Sequence, residues 1–204
     1  MPTILHIDSS PRIKQSFSRQ LGKEFIDLWK SNHPGDKIVY RDLGRKPIPY
    51  ASETWVDASH SPALTAVQKR ALKLSDELVD ELLAADRFVF AIPVYDLTVP
   101  ATFKSYIEQI VRFGRTIAPD LKGDLKGLVT GKKLLVISAR GSEIVPGSPA
   151  AAADHFESYL RHVFGFIGVT DAKFVHAHGL GNEAAQAKAL ERARAALKEI
   201  ASSW

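Results

Sequence analysis

The chain has 204 residues, 45% of them hydrophobic, and carries 27 Lys and Arg against 23 Asp and Glu, for a formal charge of +4. That apolar content suffices for one sizeable core, so a single domain over residues 1–204 is expected. Cysteine is absent, which excludes disulfides, thiolate metal sites, iron–sulfur ligation and thiol nucleophiles, and points to a reducing, cytoplasmic location.

Short β-rich runs alternate with helical patterns along the whole length, the mark of βαβ units around a parallel sheet. The first run, Thr3 to Asp8, reaches an acid quickly with no basic residue ahead of it, which is not the pattern of a secretory signal. A helix is expected to open at Ser18, with Leu21, Phe25 and Leu28 in one apolar stripe, and to stop before Pro34-Gly35. The second run, Lys37 to Asp42, alternates Ile38 and Tyr40 with Val39 and Arg41 and reads as an edge strand. After a long connection, Leu43 to Leu64, a helix is expected from Thr65 to Ala84, with Thr65 as N-cap and Gln68 three residues on.

The third run, Arg87 to Ile92, is nearly continuous in apolar residues, as a central strand should be, and the stretch Phe88 to Val94 is far shorter than the ~18 residues of a membrane span. A third helix begins near Pro100 and carries Phe103, Ile107, Ile110 and Val111. A second long connection, Gly114 to Gly131, leads to the fourth run, Lys133 to Ser138; long connections of this kind are more often functional lids or interface pieces than spacers. A helix over about Ala152 to Phe166, a fifth run, Lys173 to Ala177, and a helix over about Glu183 to Ser202 complete the chain. In that last helix Lys188, Arg192, Arg194 and Lys198 alternate with Glu191 and Glu199, the look of a solvated surface, so no nucleic-acid or membrane partner is expected.

The fold class is therefore α/β: a doubly wound five-stranded parallel sheet of flavodoxin-like order 2-1-3-4-5, with helices on both faces. In such sheets ligands bind beyond the carboxyl ends of the strands, which directs attention to three loops. The loop after the first strand, Ser9 to Ser18, runs straight into a helix, where free N–H groups and the macrodipole can join Ser10, Ser16 and Ser18 in a phosphate cradle. The plainer reading makes Ser18 only an N-cap. The loop after the third strand, Pro93 to Pro100, sets apolar side chains and Tyr95 at the mouth of the sheet, suited either to a flat hydrophobic ligand or to closing the core. The loop after the fourth, Ala139-Arg140-Gly141-Ser142, allows a backbone to approach a ligand closely. Arg140 and Lys14 could meet anionic groups or be plain surface charges.

Several other patterns are set aside. Gly179-Leu180-Gly181-Asn182-Glu183-Ala184 matches G-x-G-x-x-A but has no following strand and no acid about 20 residues on. Gly127 to Lys133 precedes a strand where a P-loop would follow one. His176 with His178, and His155 with His162, have ligand-like spacing but no third partner in sequence, and no G-x-S-x-G elbow supports a serine hydrolase.

Ser9-Ser10 with Ser16-Phe17-Ser18, then Pro93-Val94-Tyr95-Asp96-Leu97, then Ala139-Arg140-Gly141-Ser142, then Phe164-Gly165-Phe166-Ile167-Gly168-Val169 resemble in order the motifs of the FMN-dependent NADH azoreductases, also called NADH:quinone oxidoreductases. The resemblance runs the full length and includes Arg41-Asp42-Leu43 with Pro47-Ile48-Pro49, Leu74-Ser75-Asp76-Glu77-Leu78, and Gly127-Leu128-Val129-Thr130-Gly131-Lys132-Lys133. It implies a flavodoxin-like homodimer with FMN bound non-covalently in each subunit and active sites along the dimer interface. It further implies Ser10 and Ser16, Phe17 and Ser18 on the phosphate, Val94, Tyr95, Asp96 and Leu97 against the isoalloxazine, and Ala139, Arg140, Gly141 and Ser142 along its pyrimidine edge. Hydride would come from NADH or NADPH, and two electrons would pass to quinones or azo compounds in ping-pong order, the chemistry residing on the flavin rather than on a side-chain acid or base.

The family's usual methionine, asparagine and phenylalanine are here Val94, Asp96 and Leu97, and its final glycine in the third motif is Ser142. An ionised Asp96 only accepts hydrogen bonds; beside the flavin pyrimidine it would disfavour the anionic reduced form and lower the reduction potential. Two rival readings stay open. One is a flavodoxin-type electron carrier with no hydride-accepting slot, whose commonly acidic partner surface the +4 charge does not match; the other is a flavin-free binding module of the same fold.

Overall fold

Unbroken apolar runs become the inner strands. In the computed structural model, which describes residues 1–144 and 147–204, β1 (Thr3–Asp8), β3 (Arg87–Pro93) and β6 (Lys133–Ala139) are buried along nearly their whole length, while β2 (Lys37–Asp42) and β7 (Asp171–Ala177) are largely half-exposed. All pairs are parallel, in the order β2-β1-β3-β6-β7, so the alternating run is an edge strand as expected. One face is covered by α1 (Phe17–Asn32) and α7 (Glu183–Ser203), the other by α3 (Ala66–Ala84), α4 (Ala101–Ile110) and α6 (Phe156–Phe166). On the second face Phe90 packs against Phe103 and Phe164 with ring centroids 5.5 and 5.3 Å apart. On the first, Arg87 lies between Trp29 and Trp204 and donates to the Trp204 carbonyl at 3.1 Å.

Helix starts follow local capping. Thr65 and Gln68 form the expected reciprocal capping box. The start of α1 differs from expectation: Ser16 is the N-cap, accepting from the Arg19 amide, and Ser18 lies inside the first turn. The helix expected over Ala152 to Phe166 begins instead at Phe156 as α6, with a separate short turn, α5 (Pro149–Ala152), ahead of it and the Asp154 carboxylate accepting from the Phe156 amide at 3.1 Å between them.

Both long connections hold elements too short to stand out in sequence. Leu43 to Leu64 contains α2 (Glu53–His60), and Gly114 to Gly131 contains a hairpin of β4 (Ile117–Pro119) and β5 (Leu125–Gly127). The hairpin is fastened to the end of α6 by the Val129 amide on the Ile167 carbonyl at 2.8 Å. Gly127 meets Gly168 so closely that a Cβ on Gly127 would lie 2.2 Å from the Gly168 nitrogen.

Candidate active site

The loops after β1, β3 and β6 meet at the carboxyl edge of the sheet, each shaped by its own local chemistry. Ser10 is buried after β1, and its hydroxyl accepts from the Arg12 amide at 3.2 Å. Ser16 caps α1 with extended backbone (φ −98°, ψ 118°), so the Phe17 and Ser18 amides open the helix with no carbonyl four residues back to bond. Two hydroxyls, free amides and the positive end of a helix are the donor set a phosphate needs.

After β3, Tyr95 and Thr98 exchange both backbone hydrogen bonds at 3.0 Å around Asp96 (φ +47°) and Leu97 (φ +68°). This is a two-residue turn whose central positions both require positive φ. Leucine in that region costs about 1–2 kcal/mol, and strain of this kind persists where the surroundings impose it, often at ligand loops. After β6, Arg140 is paired: its Nη2 lies 2.9 Å from Asp154 Oδ2, both side chains being largely buried. Burial pushes the Asp154 carboxyl up, but the Arg140 hydrogen bond and the Phe156 amide outweigh it, and the carboxyl ends below its usual range. The Arg140 guanidinium is thus paired with Asp154 ahead of α6, while Arg140 also borders the cavity at the carboxyl edge of the sheet. Lys14 is exposed.

Backbone hydrogen bonds lace these loops together. Val94 donates to Ala139 at 2.9 Å and Arg140 to Ala177 at 3.0 Å. Gly179, Leu180 and Gly181 donate to the carbonyls of Ser142, Arg140 and Gly141 at 3.0, 3.1 and 3.0 Å. The glycine-rich segment that mimics a dinucleotide motif thus has the amides of Gly179, Leu180 and Gly181 consumed by the neighbouring loop, not turned toward a pyrophosphate.

The result is a cavity of about 200 Å³ lined by Ser10, Ser16, Phe17, Val94, Tyr95, Ala139, Arg140 and Gly141, together with Arg12, Gln15, Pro93, Leu180 and Gly181. Past Arg12 and Phe17 it continues into an open trough of about 800 Å³ bordered by Lys14, Gln20 and Glu183. Polar donors from Ser10, Ser16 and the start of α1 line it together with Phe17, Val94, Tyr95 and Leu180, so the residues present fit a phosphate carrying a flat ring, as FMN does. Four expected residues are outside this wall. Ser18 is buried behind Ser16, their hydroxyl oxygens 3.1 Å apart, while Asp96, Leu97 and Ser142 are exposed. Leu180 and Gly181 were not foreseen as wall residues; the glycine motif was their only signal in sequence.

A further groove of about 650 Å³ between α1 and β2 shares Ser16 with the cavity, is lined by Asp8, Arg19, Tyr40 and Asp42, and includes no residue of the loops after β3 and β6. On the other face, Ser138 lies 2.6 Å from His176 Nδ1, and His176 Nε2 lies 2.7 Å from Glu157. This line imitates a hydrolytic triad, but Ser138 is fully buried and no carbonyl can reach it. His178 beside it is pushed down to about 4, by burial first and then by the charges of Arg140 and His176. Among the described residues no group of three or more His, Asp or Glu is placed to hold a metal, and no described helix is long and apolar enough to cross a membrane.

The chain matches the family described as having a flavodoxin-like fold over residues 2–201. It is 50% identical over 206 residues to an FMN-dependent NADH:quinone oxidoreductase of Nostoc punctiforme, covering 100% of both chains. It is 42% identical over 205 residues to a second so named from Pseudomonas fluorescens, covering 98% of this chain and 100% of that one. Among solved structures, an azoreductase from Bacillus anthracis str. Sterne superposes with a TM-score of 0.91 at 26% identity over 100% of both chains. With its sheet order, its cavity and these relatives, the chain belongs to the flavodoxin-like family of FMN-dependent NADH:quinone oxidoreductases.

Proposed function

We propose that the protein uses non-covalently bound FMN to carry two electrons from NADH or NADPH to quinones and azo compounds. The observation that carries this reading is the meeting of a donor-rich helix start with apolar loop walls in one cavity at the carboxyl edge of the sheet. FMN bound there would supply the redox chemistry, taking a hydride from the nicotinamide and passing two electrons on, once for a quinone and twice for an azo bond.

The residues of this chain do the binding and orienting. Ser10, Ser16 and the amides of Phe17 and Ser18 hold the phosphate. Val94 and Tyr95 pack against the ring, Asp96 and Leu97 reach it from the rim, and Ala139, Arg140, Gly141 and Ser142 edge its pyrimidine side through their backbone. Donor and acceptor use one apolar slot in turn, which gives ping-pong kinetics. Phe113, Leu121 and Leu125 are exposed on and before the β4–β5 hairpin, and apolar side chains left in solvent there are what a second copy of the chain would cover, so the working form is a homodimer. A cytoplasmic location suits a cysteine-free chain using a nicotinamide donor.

The test is an absorbance spectrum of the purified protein with added FMN, followed by anaerobic NADH and then menadione or an azo dye. Bleaching by NADH and recovery with the acceptor are expected. Flavin that binds but is not bleached would identify an electron carrier instead. FMN fluorescence left unquenched, with no retention on dialysis, would overturn the reading. Sedimentation of the loaded protein as a monomer would overturn the dimer.

A further inference from the structure

An arginine in the first turn of a helix opposes the helix dipole, yet Arg19 occupies that position in α1 and is only 8% exposed. Its side chain turns back beneath the loop after β1. Arg19 Nε and Nη2 both donate to the Ser10 carbonyl, at 3.0 and 2.6 Å. Nη1 donates to Asp8 at 3.2 Å and to Asp42 at 2.7 Å, and Tyr40 closes the cluster by donating to Asp8 at 2.6 Å. The neighbouring Ser9 carbonyl is likewise turned aside, accepting from Thr102 Oγ1 at 3.0 Å. Burial disfavours the Arg19 charge, but the hydrogen bond to Asp42 and the charges of Asp8 and Asp42 outweigh it, so the guanidinium stays protonated.

Two problems of an anion cradle are met by this one side chain. A carbonyl that faced the cavity would repel a phosphate, and the Ser10 carbonyl is pinned the other way. Asp8 and Asp42 stand directly behind the loop, and without a cation between them they would present uncompensated negative charge to it in a region of low dielectric. Arg45 reaches Asp42 at 3.4 Å but is well exposed and therefore screened.

We propose that Arg19 is the positioning residue of the phosphate cradle, turning the Ser10 carbonyl away from the anion and partly neutralising the two carboxylates behind it. This rests on the reading of the loop after β1 as the phosphate site. Arg19 acts through Ser10 and through charge, and it sets how strongly the protein prefers a phosphorylated flavin over the same ring without phosphate.

The experiment compares FMN with riboflavin on the flavin-stripped protein, by quenching of flavin fluorescence. Wild type should bind FMN more tightly. Arg19→Met should lose roughly tenfold or more in FMN affinity, the scale of a charge-assisted hydrogen bond, while riboflavin affinity stays within about twofold. Adding Asp42→Asn to Arg19→Met should regain part of the FMN loss, because one uncompensated carboxylate is removed; a packing role alone predicts a further loss, and no recovery overturns the neutralising half. Arg19→Lys keeps the charge with fewer donors, should fall between, and serves if Arg19→Met does not fold. A wild-type FMN to riboflavin ratio in both Arg19 variants, or equal weakening of both ligands, overturns the proposal. Wild type that binds no FMN, or binds it no better than riboflavin, overturns instead the phosphate-site reading on which it rests.

Discussion

Arg140 and Asp154 form the ion pair that fastens the loop after β6 to the segment leading into α6, with Arg140 Nη2 and Asp154 Oδ2 2.9 Å apart and their side chains 4% and 16% exposed. Removing one partner of such a pair strands the other as a lone charge in a low-dielectric setting. Arg140→Met is therefore expected to destabilise the fold by about 3 kcal/mol in denaturant unfolding. Asp154→Asn should cost less, since an asparagine oxygen can still accept from the Phe156 amide. A loss below about 1 kcal/mol for Arg140→Met would show that the pair does not anchor the loop.

The cradle backbone makes a steric prediction. A Cβ on Gly44 would lie 2.1 Å from the Ser10 carbonyl oxygen and 2.5 Å from Arg19 Nη2. Gly44→Ala must push the loop after β1 out of place, at a cost of about 2–3 kcal/mol, and FMN affinity should fall with it. A Gly44→Ala protein with wild-type melting and wild-type FMN affinity would contradict the close approach.

Acid should loosen the β7 side of the molecule in two stages. Burial, followed by the charges of Arg140 and His176, holds His178 down to about 4, against an ordinary histidine near 6.5. Between those values the unfolded chain binds the proton more readily, so stability is lost as pH falls from about 6.5 toward 4. The depressed carboxyls of Asp154 and Glu157 work in the same sense lower down: their contribution is full above the ordinary carboxylate range and disappears as pH drops through their lowered values. His178→Asn should flatten only the upper stage of a pH series of unfolding curves, and an unchanged slope there would rule out His178 as its source.

The strained turn carries two further expectations. Leu97 at φ +68° is a position glycine adopts freely, so Leu97→Gly should be neutral or stabilising by up to about 1 kcal/mol despite the lost side chain, which is exposed. Asp96→Asn keeps a residue tolerant of φ +47° while removing a negative charge at the rim of the cavity. In a redox titration of the FMN-loaded protein, Asp96→Asn should raise the midpoint potential; an unmoved midpoint would mean the carboxylate is too well solvated to influence the ring.

Much of the architecture is legible in the chain because it depends on short-range periodicity. Continuous apolar runs mark β1, β3 and β6, alternation marks β2 as an edge, and Thr65 with Gln68 writes out the start of α3. Short elements escape that reading, which is why the eight-residue α2 and the three-residue strands of the β4–β5 hairpin look like bare connections in sequence. The loops lining the cavity are visible as segments, because their positions after strands follow from the winding of the sheet.

What each residue in those loops does is a different matter. The order of motifs along the chain is enough to indicate the sheet, the family and the carboxyl-edge loops in which a ligand is expected. Only the tertiary structure decides that Arg140 pairs with Asp154, that Leu180 and Gly181 form a wall, and that Arg19 reaches back to Ser10 and across to Asp42. The physical reason is range: strand and helix periodicities are set by neighbours a few residues away, whereas the direction of a charged side chain is set by whichever opposite charge or carbonyl folding brings beside it, and for Arg19 and Asp42 those partners are 23 residues apart in sequence.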